Sequence, residues 1–183
     1  MDAIEAILSR VSSVKLTAPG PDAAQLDIIL KAAVSAPDHG RIRPWRFAVL
    51  SGDARAPIAD AFERAVLKQM PDATPERRAQ ERAKADRAPT IIMVAAHFID
   101  GTKISEIEQV MAASAAVQNM FLAAHALGLG AMWKTGAMVD DVILKQALGL
   151  PERDCIVAFL YLGVPAGRPD PAPRTYDGLL LST

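Results

Sequence analysis

The spacing of apolar residues divides the chain into helical and extended segments. Apolar side chains recur every three or four residues in four stretches, 2–8, 22–34, 52–66 and 139–148, which predicts amphipathic helices. Asp2 and Asp22 stand at the N-cap positions of the first two, where a carboxylate can accept hydrogen bonds from free N–H groups. Strand-like segments occupy 46–51, 90–98, 131–135 and 155–164. The run 90–98 is apolar enough for burial on both faces.

The longest helical pattern covers residues 104–129 and is apolar on more than one side. Alanines crowd its middle, while Val117, Met120 and Phe121 are spread around it. A helix that is apolar on several sides is buried, either at the centre of the monomer or between subunits. Helices precede and separate the strands along the chain. The pattern therefore predicts an α+β or α/β sandwich, with a single domain over 1–183.

Two segments lack a clear hydrophobic period. Residues 71–88 are densely charged, which favours either a solvated surface helix or a mobile flap over a site. The tail over 165–178 contains four prolines and cannot form regular structure. It is either disordered or an extended arm that lies along a partner subunit.

Composition excludes several classes of function. A net charge of −1 argues against nucleic acid as a partner. The single cysteine, Cys155, fits a reducing compartment, and no apolar run reaches the ~20 residues that span a bilayer. The acidic, amphipathic start is unlike a signal peptide. We therefore expect a cytoplasmic protein that binds neither nucleic acid nor membrane.

Several familiar catalytic and binding motifs are absent. The three histidines have no metal-ligand spacing, and no metal is expected. The chain has no GxGxxG after a strand, no GxxxxGK[ST] and no GxSxG. The common phosphate-binding fingerprints and the hydrolase nucleophile are therefore missing.

Three short segments nevertheless concentrate polar chemistry. The loop 36–45, APDHGRIRPW, offers donors from His39, Arg41 and Arg43, and such a loop between two regular elements is a natural place for a site. Residues 10–15, RVSSVK, could hold a phosphate through a guanidinium and hydroxyls, or could simply form a basic helix end. Residues 133–135, WKT, are an aromatic and a cation between two glycines, or an ordinary edge strand.

These segments, in this order, resemble the FMN-dependent nitroreductase family, most closely its short YdjA-like branch. The resemblance covers essentially the whole chain. It is carried by four segments: MDAIEAILSRVSS, APDHGRIRPWRFAVL, LGLGAMWKTGAM and FLYLGVP. It implies an α+β three-layer sandwich around a mostly antiparallel sheet. It also implies a homodimer with FMN at the interface and a C-terminal arm extending to the partner.

The resemblance also assigns residues by position. Those expected to contact FMN are Arg10, Val11, Ser12, Ser35, His39, Arg41, Arg43, Ala131, Met132, Trp133 and Lys134. Arg10 and Ser12 would hold the phosphate and ribityl end, and the segment 131–134 would run beside the ring. The nicotinamide dinucleotide is expected at Phe121, Leu122, Ala123, Ala124, His125 and Ala126.

This sequence departs from the family at several of these positions. Val11 replaces a second arginine, and Ser35 stands where the branch has an arginine. Arg41 and Arg43 stand where asparagine and glutamine are usual. These two arginines could stabilise a reduced, anionic flavin, or they could point to solvent.

The function that the resemblance implies is an NAD(P)H-dependent flavin oxidoreductase with a ping-pong mechanism. The nicotinamide reduces FMN and leaves, and an electron-poor acceptor such as a nitroaromatic or quinone then binds in the same place. The flavin carries the chemistry, so no catalytic side chain is expected. The alternatives are a dimeric FMN carrier or sensor without efficient turnover, and a helical assembly module that binds no flavin.

Overall fold

Five antiparallel strands form the centre of the molecule. The computed structural model describes residues 1–167 and 171–181. The strands are β1 (Leu16–Thr17), β2 (Trp45–Ser51), β3 (Thr90–Ala96), β4 (Gly130–Lys134) and β5 (Cys155–Pro165). β3 pairs with β2 and with β5, and β5 also pairs with β4 and β1. β5 is therefore the strand that joins the sheet to the N-terminal segment.

Helices cover both faces of this sheet. They are α1 (Ala3–Ser9), α2 (Ala23–Val34), α3 (Ala56–Gln69), α4 (Pro75–Arg82), α5 (Glu106–Ala126) and α6 (Val142–Ala147). Successive residues of β3 point to opposite faces of the sheet. Ile92 and Val94 pack in the core that also contains residues of α2 and α5. Ile91 and Met93 pack in the core on the other face, with residues of α3 and α6. The predicted three-layer α+β sandwich is thus confirmed, and β3 is buried along its whole length.

The predicted caps of the first helices are present. Asp2 accepts a hydrogen bond from Glu5 N at 2.9 Å, and Asp22 forms a reciprocal capping box with Gln25. The helix predicted over 139–148 is different, because a 3₁₀ turn ends before Asp141 and α6 starts after it. The Asp141 carboxylate accepts from Leu144 N at 2.6 Å, so it begins a new helix.

The charged segment 71–88 contains a helix docked on α3. Arg78 Nε lies 2.6 Å from Glu63 Oε1, and Arg82 Nη1 lies 2.7 Å from the other oxygen of the same carboxylate. Ala85 and Ala88 are buried beyond the helix. A surface helix is therefore present in this segment, but its inner side is held by ion pairs and small apolar residues rather than solvated. The mobile flap stays a prediction.

Candidate functional site

The segment 10–15 lies against β4. Ser13 N donates to Ala131 O at 2.8 Å. A Cβ on Gly130 would stand 2.9 Å from Pro165 Cβ, 2.8 Å from Ser13 Oγ and 2.7 Å from Leu16 Cδ2, so a larger residue here would force its neighbours to shift. The fold therefore brings the polar segment 10–15 into contact with β4, which contains most of the polar segment 133–135.

A cavity of about 570 Å³ opens beside this junction. It is lined by Ser13, Val14, Lys15, Leu16, Thr17, Asp86, Arg87, Met132, Lys134, Tyr161 and Ala166. Its volume lies within the usual range for a small-molecule or cofactor site, ~300–1,000 Å³. Lys15 and Lys134 carry positive charge at its wall.

The indole ring of Trp133 does not line this cavity. Its Nε1 donates to Val157 O at 3.1 Å, and its side chain packs against the core shared with α5. Side chains alternate along a strand, so Met132 and Lys134 face the cavity while Trp133 faces the core. The contribution expected from Trp133 is then limited to its backbone.

Arg10 provides the clearest indication of an anion-binding site. Its guanidinium stacks on the Phe121 ring, 4.5 Å from the centroid, and its buried Nη1 has no hydrogen-bond partner among the residues described. Burial lowers the pKa of Arg10, and the positive charge of Arg174 lowers it further. Buried polar groups are normally hydrogen-bonded, so this donor indicates an acceptor that the described residues do not supply.

Arg174 joins this region from the C-terminal tail. Its guanidinium donates to Ile7 O at 3.1 Å and to Arg10 O at 2.8 Å. Over 1–167 and 171–181, neither Arg10 nor Arg174 forms an ion pair with a carboxylate. Two neighbouring guanidinium groups without a counter-ion favour an anion. The sequence pattern did not single out Arg174, because the proline-rich tail has no period that would place it near α1.

The segment predicted to bind nicotinamide packs beneath α1. Phe121 lies under Arg10, Ala124 is fully buried, and His125 Nε2 lies 2.8 Å from Ser9 Oγ. Cavities of about 250 and 360 Å³ flank this part of α5. The nicotinamide assignment stays a prediction.

The loop over 36–45 lies at the other end of α5. His39 Nδ1 is 2.8 Å from Glu108 Oε1, and hydrogen bonds from Ser105, followed by that from His39, lower the pKa of Glu108 to about 2. Arg41 and Arg43 adopt positive φ angles of 54° and 50°. Both side chains are exposed, and the loop backbone is fixed in a conformation that non-glycine residues seldom adopt.

One chain does not bring this loop to Arg10. Phe121 follows Glu108 by thirteen residues of α5, which is about 20 Å at ~1.5 Å per residue. Ser35, at the C-cap of α2, donates to Lys31 O at 2.8 Å. Within one chain, His39 and Arg10 therefore contact opposite ends of α5.

The residues described contain no group of three ligating side chains that could hold a metal ion. Over the same residues, no helix combines the length and the hydropathy needed to cross a membrane.

Comparisons with known proteins agree with this geometry. The curated sequence named "Putative NAD(P)H nitroreductase YdjA" from Escherichia coli K12 is 37% identical over 182 residues, covering 94% of this chain and 97% of the relative. A nitroreductase-like family protein from Bacillus cereus superposes with a TM-score of 0.83 at 26% identity, covering 100% of this chain and 96% of the other. A structure from Desulfovibrio desulfuricans, solved in complex with FMN, has a TM-score of 0.75 at 31% identity and covers 100% and 98%.

The model of the Nitroreductase family matches residues 7–164. This match contains the segment 10–15, the loop over 36–45, β4 and nearly all of β5. Together with the fold and the relatives, it establishes that the chain belongs to the nitroreductase family of oxidoreductases.

Proposed function

We propose that the protein uses NAD(P)H and FMN to reduce an electron-poor acceptor such as a nitroaromatic or a quinone. The observation that carries this proposal is the buried Nη1 of Arg10, which lies beside Arg174 and has no hydrogen-bond partner among the described residues. Arg10 begins the segment 10–15, whose other end borders the cavity of about 570 Å³. An elongated ligand with an anionic end and a planar end fits that arrangement. The FMN in the Desulfovibrio desulfuricans structure and the name of the Escherichia coli relative support the choice of ligand and reductant.

The residues present fit FMN. Arg10 and Arg174 would hold the phosphate, with the Ser12 hydroxyl and the Val11 backbone nearby. The ring would lie along β4, where Met132 and Lys134 face the cavity. When bound, FMN accepts reducing equivalents from the nicotinamide and delivers them to the acceptor. The protein orients the ring, and the positive charges of Lys15 and Lys134 favour electron-rich states in the cavity.

The working unit in this proposal is a homodimer. On the outer side of α5, Ile107 is 65% exposed and Met111 is 64% exposed. Large exposed apolar residues one helical turn apart favour a protein interface. Ser114 and Ala115 lie midway between Glu108 and Phe121, so two copies of α5 packed antiparallel across these small residues would place the loop of one chain over the Arg10 region of the other. His39, Arg41 and Arg43 would then reach the flavin in trans.

The test is anaerobic reduction of the FMN-loaded protein. Purified protein should be yellow or take up added FMN, and NADH or NADPH should bleach the flavin absorbance. Reoxidation by a nitroaromatic or a quinone should restore the absorbance. A protein that binds FMN but is not reduced by either nicotinamide would instead be a flavin carrier or sensor. A protein that takes up no FMN would refute the proposal entirely.

A further inference from the structure

Two polar side chains of the cavity of about 570 Å³, Tyr161 and Arg87, take no part in the proposed FMN contacts. Tyr161, Arg87 and Lys134 all line it. Arg87 and Lys134 also line an adjoining cavity of about 320 Å³, which lies between α3, α4 with the segment after it, and the end of β4. These two cationic side chains therefore stand where the two cavities meet.

Tyr161 contributes a buried donor at this junction. Its side chain is 1% exposed, and among the described residues its hydroxyl has no hydrogen-bond partner. Burial raises the pKa of Tyr161 to about 12, so the hydroxyl keeps its proton at neutral pH and can donate. Buried hydroxyls without a partner are uncommon. The group therefore indicates an acceptor atom from a molecule in the cavity.

The charges around this hydroxyl are unbalanced. Asp86, the carboxylate on the cavity wall, is paired with Arg55 at 3.2 Å. In the adjoining cavity, Glu81 is paired with both Arg77 and Lys84. In the described part of the chain, Arg87 and Lys134 have no ion pair. The nearby carboxylates are thus neutralised by other cations, and Arg87 and Lys134 leave a net positive charge where the two cavities meet.

We propose that Tyr161, Arg87 and Lys134 form a subsite for an oxyanion carried by the reactant, a carboxylate or a phosphate. The inference rests on the proposed function and narrows its substrates to anionic molecules. The oxyanion has two sources, a carboxylated aromatic acceptor or a phosphate group of NAD(P)H. Because the two reactants of a ping-pong enzyme occupy the same place in turn, one set of donors serves either source.

The acceptor arm of the test is a binding measurement that needs no turnover. Titration calorimetry on the oxidised, FMN-loaded protein compares 4-nitrobenzoate with 4-nitrobenzamide, which has the same shape without the charge. The wild type should bind the carboxylate more tightly. Arg87→Gln should weaken that binding by about tenfold, the effect of losing one charge-assisted hydrogen bond, and should leave the amide unchanged. Tyr161→Phe should act in the same direction.

The nicotinamide arm uses the reductive half-reaction. Stopped-flow reduction compares NADPH with 1-benzyl-1,4-dihydronicotinamide, which carries no phosphate. If the phosphate is the oxyanion, Arg87→Gln should raise the apparent dissociation constant for NADPH by about tenfold and leave that of the benzyl compound unchanged. The arm that responds identifies the source of the oxyanion.

Lys68→Gln is the matched control, since it removes the same charge from an exposed position of α3 that lines neither cavity. Arg87 is exposed, so its variant should fold, and thermal melting checks this. The subsite is overturned if, in both arms, Arg87→Gln affects charged and neutral ligands equally or affects neither. It is also overturned if Lys68→Gln reproduces the effect of Arg87→Gln. Failure of both nicotinamides to reduce bound FMN would refute the proposed function instead, because calorimetry would still report the subsite.

Discussion

Replacing Arg10 by methionine should separate cofactor binding from folding. Methionine keeps an apolar side chain against Phe121 and removes the guanidinium. If Arg10 holds the FMN phosphate, the variant cannot form a charge-assisted hydrogen bond worth ~1.5–3 kcal/mol. That difference corresponds to a rise in the FMN dissociation constant of roughly ten- to a hundredfold.

The stability of the cofactor-free protein should change little. The cation–π interaction between Arg10 and Phe121, which methionine cannot make, is worth ~0.5–1 kcal/mol at a partly exposed site. Against this, the substitution removes a buried N–H without a partner and the repulsion between Arg10 and Arg174. These opposing effects leave a net change within ~1 kcal/mol, or a melting shift of at most ~4 °C for a chain of this size.

The assay combines fluorescence titration of FMN into stripped protein with thermal melting of the same samples. Arg153→Met is the control, because Arg153 also lies over an aromatic ring, that of Phe98 at 5.9 Å, but is paired with Asp100. An unchanged FMN affinity in Arg10→Met would refute the phosphate role. If Arg10→Met lost FMN affinity and its cofactor-free form also melted far more than ~4 °C below the wild type, Arg10 would be needed for folding and not only for cofactor binding.

Three other substitutions probe the packing, the ion pairs and the interface. Gly130→Ala should destabilise the protein by ~1–3 kcal/mol and weaken FMN binding, because its Cβ would press on Pro165 and on the side chains of Ser13 and Leu16. Gly167→Ala, whose Cβ meets no atom within 4 Å, should be neutral in the same melting and titration experiments. Asp141→Asn should lower the free energy of unfolding by ~1–3 kcal/mol at pH 7, since it breaks a two-bond pair with Arg64. The hydrogen bond from Arg64 lowers the folded pKa of Asp141, so this stabilisation is present above the ordinary value of 3.8 and is lost as pH falls through the folded pKa. Urea melts of the wild type and of Asp141→Asn should therefore converge at low pH. A difference that persists at low pH would contradict the stabilising role of this ion pair. Met111→Glu should produce a monomer by sedimentation velocity and weaken FMN binding together, whereas an intact dimer would exclude the outer side of α5 as the interface.

The sequence predicted the sheet and the main helices because their signals are local. Asp2 and Asp22 each cap a helix with their own side chains, and residues 91–96 are apolar without interruption. β1 was missed because two residues cannot show a period, and it exists only by pairing with the end of β5.

The site was harder to predict because its parts come from distant segments. The proximity of residues 10–15 to β4 depends on Gly130, which a pattern of apolar residues does not distinguish from a helix cap or a turn. Arg174 lies in a tail without regular structure, and Tyr161 resembles any aromatic residue in a core strand. Residues of this kind become candidates for ligand binding only when the structure shows which polar atoms lie buried beside a cavity or a charge.

The placement of Arg174 has a consequence for the lifetime of the protein. Its guanidinium holds the tail to the end of α1 through two hydrogen bonds to carbonyl oxygens, against repulsion from Arg10. An anion shared by the two arginines would reverse that repulsion, so cofactor binding and tail docking are linked, and each strengthens the other by the same factor. Newly made or flavin-starved molecules would then present a loosened C-terminal tail to cellular proteases.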